Sequence, residues 1–275
     1  MSTKLSRRTL LLAAGASGIA LPTLADSVSQ DPRLSAEGQI RLSASLDGSP
    51  AFWIYSGTVY AVQPGLHPRE LVRLSGCQSS WAERLEDGSY RVSGATLTFF
   101  RDCRSGTILD YFDNPITGRR NKVVANFLSG GALRYPADGT SARAEFRPAT
   151  GSVIAPNGFG AADLQKPLGL VRWQVMEQSV LLFTDRSWNV AVQPQLEAQT
   201  QSGDRADFFD PALRRMTARY SGTSIMPWMT WLEMADIPGH LTWHSSGEKS
   251  FSLDGLEADY RAHAGDRLDR LASRP

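Results

Sequence analysis

Four histidines stand in the 275 residues, and two of them, His240 and His244, lie in Ser224 to Lys249, the segment densest in aromatic and sulfur side chains. Met226-Pro227-Trp228-Met229-Thr230-Trp231-Leu232-Glu233-Met234 holds two tryptophans and three methionines in nine residues, with Asp236, Trp243 and His244 close behind. Histidine is the side chain that titrates near neutral pH without perturbation, so His244 is the natural acid–base candidate. Asp236 would orient or charge-pair it. Tyr55 or Tyr60, from Trp53-Ile54-Tyr55-Ser56-Gly57-Thr58-Val59-Tyr60, would bind a developing oxyanion. Trp228 and Trp231 would hold an apolar ring, with Trp53, Tyr55 and Trp243 as further substrate-binding walls. The chemistry such a set suits is a cofactor-independent lyase or isomerase reaction on an apolar or aromatic molecule. The same residues also pack a core or a barrel end, since Trp and Met fill irregular space well.

Other chemistries find no footing. There is no G-x-S-x-G elbow, no H-E-x-x-H and no P-loop. Gly158-Phe159-Gly160 lacks the third glycine of a dinucleotide fingerprint and reads as a loop. His240 and His244 lie in an extended stretch after Pro238-Gly239, which sets their rings roughly 13 Å apart, too far to share a metal ion. Neither a metal nor another cofactor is expected.

The elements that must position these residues are strands. Phe52-Trp53-Ile54-Tyr55 and Thr58-Val59-Tyr60-Ala61-Val62 read as two runs parted by Ser56-Gly57. Strand alternation puts Trp53 and Tyr55 on one face. Two turns, Asp102-Cys103-Arg104-Ser105-Gly106 and Asp113-Asn114-Pro115-Ile116-Thr117-Gly118, each open on Asp and close on Gly, as in a β-meander. Further runs at 144–147, 151–154, 171–176, 180–184, 191–198, 217–220 and 241–244 bring the total to about ten strands. No helix lies between them, so the sheet must be mainly antiparallel. A sheet of that size tends to curl, and closure removes its edges. The expected fold is a mainly β, antiparallel, calycin-like β-barrel with a C-terminal helix, the latter from the spacing of Leu256, Tyr260, Ala264, Leu268 and Leu271. Residues 157–168 and 203–216 read as loops, the second with one helical turn.

The first 25 residues read as an export signal: basic Lys4, Arg7 and Arg8, an apolar stretch too short to span a bilayer, and Thr23-Leu24-Ala25 as a cleavage site. The adjacent arginines in Ser6-Arg7-Arg8-Thr9 point to the twin-arginine route, and so to that export machinery as a partner. Residues 26–275 then form one barrel domain in the periplasm, with no stable membrane anchor. Lys plus Arg total 29 and Asp plus Glu 28; losing the three leader cations leaves a net charge of −2. Such a chain has no basic field for nucleic acid. Cys77 and Cys103 meet an oxidising compartment, and the sequence leaves open whether they are bridged.

Several of these segments together resemble the bacterial and fungal family catalogued as domain of unknown function eighteen thirty-eight. They are Gly57-Thr58-Val59-Tyr60-Ala61 with Pro64-Gly65, Phe100-Arg101-Asp102 with Gly106-Thr107-Ile108-Leu109, Asn114-Pro115-Ile116-Thr117-Gly118, and Pro227-Trp228 with Met234-Ala235-Asp236-Ile237-Pro238-Gly239. His244, Gly247 and Lys249 fit its closing pattern. Where that family usually shows Gly and Arg, this chain has Ala235 and Ile237. The resemblance implies twin-arginine-type leaders and no settled activity. The expected function is binding of a small hydrophobic or aromatic molecule in a barrel pocket, extending to the lyase or isomerase chemistry above. The alternative is a non-catalytic envelope protein acting through protein–protein contacts.

Overall fold

Gly57 explains why the first two sequence runs are one strand. A Cβ there would stand 2.1 Å from the His244 carbonyl oxygen, so only glycine lets the neighbouring strand approach, and the chain passes through Ser56-Gly57 without a break. In the computed structural model, which describes residues 32–146, 169–190 and 193–274, β1 runs over Ala51–Val62. It is followed by β2 (Arg69–Arg84), β3 (Tyr90–Arg101), β4 (Tyr111–Asp113), β5 (Arg120–Lys122), β6 (Asn126–Tyr135) and β7 (Arg143–Phe146). Then come β8 (Gly169–Val175), β9 (Ser179–Val190), β10 (Gln193–Asp204), β11 (Arg219–Met226) and β12 (His240–Ser250). The helices are α1 (Ala36–Ser43), α2 (Arg205–Phe209), α3 (Ala258–Ala264) and α4 (Arg267–Ala272).

Ten strands form one antiparallel sheet in the order β7-β6-β3-β2-β1-β12-β11-β10-β9-β8, curled into a half-barrel. Each neighbour in that order also follows in the chain, apart from the β4–β5 hairpin inserted between β3 and β6 and the pairing of β1 with β12. Among the described residues, β7 and β8 are the sheet's edges. The expected strand at 151–154 and the loop at 157–168 lie outside the described residues, as does the proposed leader.

Both turn signals act as the side chains suggested. The Asp102 carboxylate accepts from the backbone N–H of Arg104 and Ser105, and Gly106 takes φ 72°. In the second turn it is Asn114, one residue after the expected Asp113, whose side chain accepts from Ile116 N–H at 3.0 Å, with Gly118 at φ 69°. The C-terminal segment is two short helices rather than one, broken where Gly265 adopts φ 51°. Its apolar side still docks as one surface: Leu256, Tyr260, Ala264 and Leu271 cover Phe52, Cys77, Leu97 and Phe99 on the outer face of β1–β3. Cys77 lies under this cover and Cys103 in the turn after β3, and both are free thiols. Burial pushes the Cys77 thiol up to about 12, and burial together with Glu70 pushes Cys103 up to about 11, so both stay neutral and unreactive at physiological pH.

The two ends of the curled sheet are plugged differently. One end holds Trp228, Met229, Trp231, Leu232 and Met234, packed on Val59, Leu74 and Phe100. This is the packing role that the Trp/Met cluster allowed. At the other end sits α1, buried on nearly every side, with Ile40 and Leu42 fully enclosed.

Candidate functional site: the cavity of the half-barrel

Register fixes which side chains look inward. Trp53, Tyr55 and Val59 of β1 stand level with Lys249, Gly247 and Trp243 of β12, and with Gln78, Gly76 and Val72 of β2. The same parity carries through Ser224 of β11 to Glu197 of β10 and Arg186 of β9. Between the two plugs Trp53, Tyr55, Gln78, Trp243, Glu197 and Arg186 line a half-open cavity of about 370 Å³. That is within the range of roughly 300–1,000 Å³ typical of small-molecule sites.

One wall is aromatic. Trp53 meets Tyr220 edge to face at 5.4 Å, and Tyr55 meets the same ring at 6.2 Å. Trp243 lines the cavity nearer the Trp/Met plug, edge-on to Phe100 at 5.8 Å. The rings are tethered: Trp53 Nε1 donates to the Ser43 carbonyl at 2.9 Å, and the Tyr55 hydroxyl lies 2.7 Å from Thr98 Oγ1. Tyr55 lies across the empty face of Gly76, where a Cβ would fall 2.2 Å from its ring. At Gly247 a Cβ would fall 2.5 Å from the Ile54 carbonyl oxygen and 2.8 Å from the Tyr220 ring. We expect Gly76→Ala to leave the sheet folded, because the obstacle is a movable ring rather than backbone. The variant should turn Tyr55 off Thr98 and weaken any aromatic ligand of the cavity about tenfold, read by titration against the wild type.

The opposite wall is polar. Gln195, Glu197, Gln199 and Gln201 alternate along β10, and Thr96, Thr98 and Asn126 line the same cavity. Glu197 is half-buried; Gln199 donates to its carboxylate, and Ser224 makes a second side-chain hydrogen bond to it. Burial raises the Glu197 pKa above the ordinary carboxylate value, against the pull of the Arg186 guanidinium and these two hydrogen bonds. Among the described residues, Asn126 Oδ1, Gln201 Oε1 and Trp243 Nε1 are buried without a hydrogen-bond partner. Unpaired polar atoms of this kind cost free energy unless a ligand or water meets them.

The residues singled out from sequence thus divide. Trp53, Tyr55 and Trp243 line the cavity. Trp228 and Trp231 belong to the plug; Trp228 Nε1 donates to the Ile237 carbonyl at 2.8 Å, and the Trp231 ring packs on Phe100 and Phe112. His244 directly follows Trp243, so strand alternation turns it outward, where it is exposed. There it meets Thr223 Oγ1 at 3.0 Å and the Tyr60 ring at 5.8 Å. Tyr60 and His244 are therefore together, on the outer face of the sheet. Asp236 is exposed in the turn before β12, and among the described residues no hydrogen bond or ion pair joins it to His244. Sequence reasoning missed Glu197, Arg186, Gln199 and Tyr220. The signal was available: polar residues at every second position of β10, opposite an aromatic strand.

Residues 48–135 match the family described as Protein of unknown function (DUF1838). The DUF1838 match takes in β1 to β6, with the Trp53–Tyr55 wall and Thr98, and stops short of Arg186, Glu197 and Trp243. It covers about a third of the chain, and its description assigns no activity. No curated protein matches the chain significantly. Among solved structures, the chain is similar to Neisserial surface protein A (NspA), at 7% identity and a TM-score of 0.30, over 74% of this chain and 97% of that one. It is also similar to Ail, the attachment invasion locus protein of Yersinia pestis, at 10% identity and a TM-score of 0.24, over 74% and 99%.

Among the described residues no helix is long and apolar enough to cross a membrane. The outer strand face mixes charged and apolar side chains, with Leu170, Leu196 and Ile225 exposed on it. Arg219 pairs with Glu248 at 3.0 Å and Arg172 with Asp185 at 3.1 Å, both exposed, beside His244 and Ser246.

Proposed function

We propose that this is an exported, periplasmic protein that binds a small aromatic molecule in the cavity of its half-barrel. The observation that carries the reading is the pairing of an aromatic wall, Trp53, Tyr55, Tyr220 and Trp243, with polar side chains on β10, around 370 Å³ of space. A barrel filled by its own side chains would bring Leu or Phe, rather than Gln195 to Gln201, into that space. The leader-like first 25 residues support export. The group within the cavity that can exchange a proton is Glu197, while His244 and Tyr60 face the opposite way.

Two measurements test this together. Native mass spectrometry of the mature protein from its own periplasm should show a small organic mass that is lost on denaturation. Titration of 4-fluorophenol, followed by ¹⁹F line broadening, should saturate in the wild type and weaken at least tenfold in Tyr220→Ala. A bare polypeptide mass together with an unbroadened fluorine line would sink the reading.

A further inference from the structure

The polar wall carries two opposite charges side by side. Arg186 of β9 and Glu197 of β10 are register partners with both side chains directed into the cavity. Directly opposed residues of an antiparallel pair stand roughly 4.5–5.5 Å apart at Cβ. Yet among the described residues no ion pair joins Arg186 to Glu197 or to any other carboxylate. The Glu197 carboxylate is instead held from one side by Gln199 and from the other by Ser224. Both charged residues are half-buried and line the cavity. The aromatic wall of Trp53, Tyr55 and Tyr220 encloses the same space.

Resting on the reading above, we infer that the ligand is an aromatic zwitterion, an α-amino acid with an aromatic side chain. Its ammonium would be taken by Glu197, its carboxylate by Arg186, and its ring by Trp53, Tyr55 and Tyr220. An α-amino acid bears its two charges on one carbon, which is the spacing a cross-strand charge pair offers. A guanidinium fork suits a carboxylate. An ammonium between a carboxylate and aromatic faces gains from both the ion pair and the cation–π attraction. A ligand with only one of the charges leaves the other wall charge desolvated and unanswered, and that is the source of selectivity.

The test is a titration of the full mature chain with L-phenylalanine, phenethylamine and 3-phenylpropionate, read by the fluorescence of the lining tryptophans. L-Phenylalanine should bind at least tenfold more tightly than either truncated probe. Glu197→Gln should lose about tenfold for phenylalanine and phenethylamine while sparing phenylpropionate, and Arg186→Met should do the converse. Because the three probes are first compared on the wild type, misfolding of a variant cannot hide the answer. If the three bind alike, or 4-fluorophenol binds and none of them does, the zwitterion inference is overturned and the cavity reading stands. If neither these probes nor 4-fluorophenol binds, the cavity reading itself has failed.

Discussion

Replacing Arg101 with Met should cost about 2–3 kcal/mol of stability and loosen the C-terminal helices before the sheet melts. Arg101 ends β3, and its guanidinium is nearly buried while the carboxylates it binds are far more open. It takes Asp259 with both terminal nitrogens, at 2.5 and 3.0 Å, and Glu257 at 2.6 Å. It also reaches Ser75 Oγ and the Gly106 carbonyl, each at 2.8 Å. Breaking a fully buried pair typically costs about 3–5 kcal/mol. Here Asp259 and Glu257 can rehydrate when the cation leaves, which lowers the figure. Methionine fills the vacated volume, so the loss reports the hydrogen bonds rather than a hole. Urea unfolding should show the midpoint shift. Hydrogen exchange should show early opening at Tyr260, whose hydroxyl donates to the Leu97 carbonyl at 2.7 Å beneath these helices. An unchanged midpoint with unchanged exchange would remove Arg101 as the fastener.

The second large effect depends on pH. Lys249 is 2% exposed, and its ammonium donates to the carbonyls of Arg41 at 2.6 Å and Ala44 at 2.9 Å, at the C-terminal end of α1. Burial, and then the nearby Arg41 guanidinium, pull its pKa down from 10.5 to about 7. The Phe251 ring is its other neighbour of note, 5.8 Å away. Above pH 7 the folded protein releases this proton while the unfolded chain keeps it until about 10.4. At this group the unfolded state therefore binds more protons across that window, and its contribution to stability rises with pH. At about 1.4 kcal/mol per pH unit, the gain from pH 7 to pH 9 is about 2–3 kcal/mol. Lys249→Met should flatten that slope. Chemical denaturation at pH 6.5, 7.5 and 9 measures it, and a wild-type slope no steeper than that of the variant would refute the assignment. Cys77 and Cys103, whose thiols burial raises, act with the opposite sign toward pH 9, and the buried Tyr55, Tyr220 and Tyr260 do so higher still, so the Lys249 share is read as the difference between wild type and variant.

Much of the architecture was legible because its signals are local. Trp53 and Tyr55 share a face by alternation alone, and the turns at Asp102 and Asn114 declare themselves through one side chain and one glycine. Strands β2 and β6 escaped notice for a physical reason. Their inward positions include Gln78, Ser80 and Asn126, which line the cavity instead of packing a core, so the usual apolar-in pattern is absent. The site was half visible on the same grounds. Aromatic residues announce themselves by type, whereas Glu197 and Arg186 gain meaning only once register brings β10 and β9 to face the tryptophans. His244 shows the converse, because its suggestive chemistry stands one residue out of phase with the cavity.

The pairing of β1 with β12 also sets a clock. Phe52 is partnered by Ser250, nearly two hundred residues later, and the first strand is the central seam of the sheet rather than its edge. A ribosome adding about 5–20 residues per second has the early strands in hand some 10–40 s before β12 exists. For that interval β1 offers a bare row of backbone donors and acceptors, the kind of edge onto which a second chain can zip. Contacts this far apart in sequence also place folding among the slower, millisecond-to-second class. The hazard in making this protein therefore lies in waiting for its last strand, and anything that holds the early half in solution until residue 250 is made should raise the yield of the folded chain.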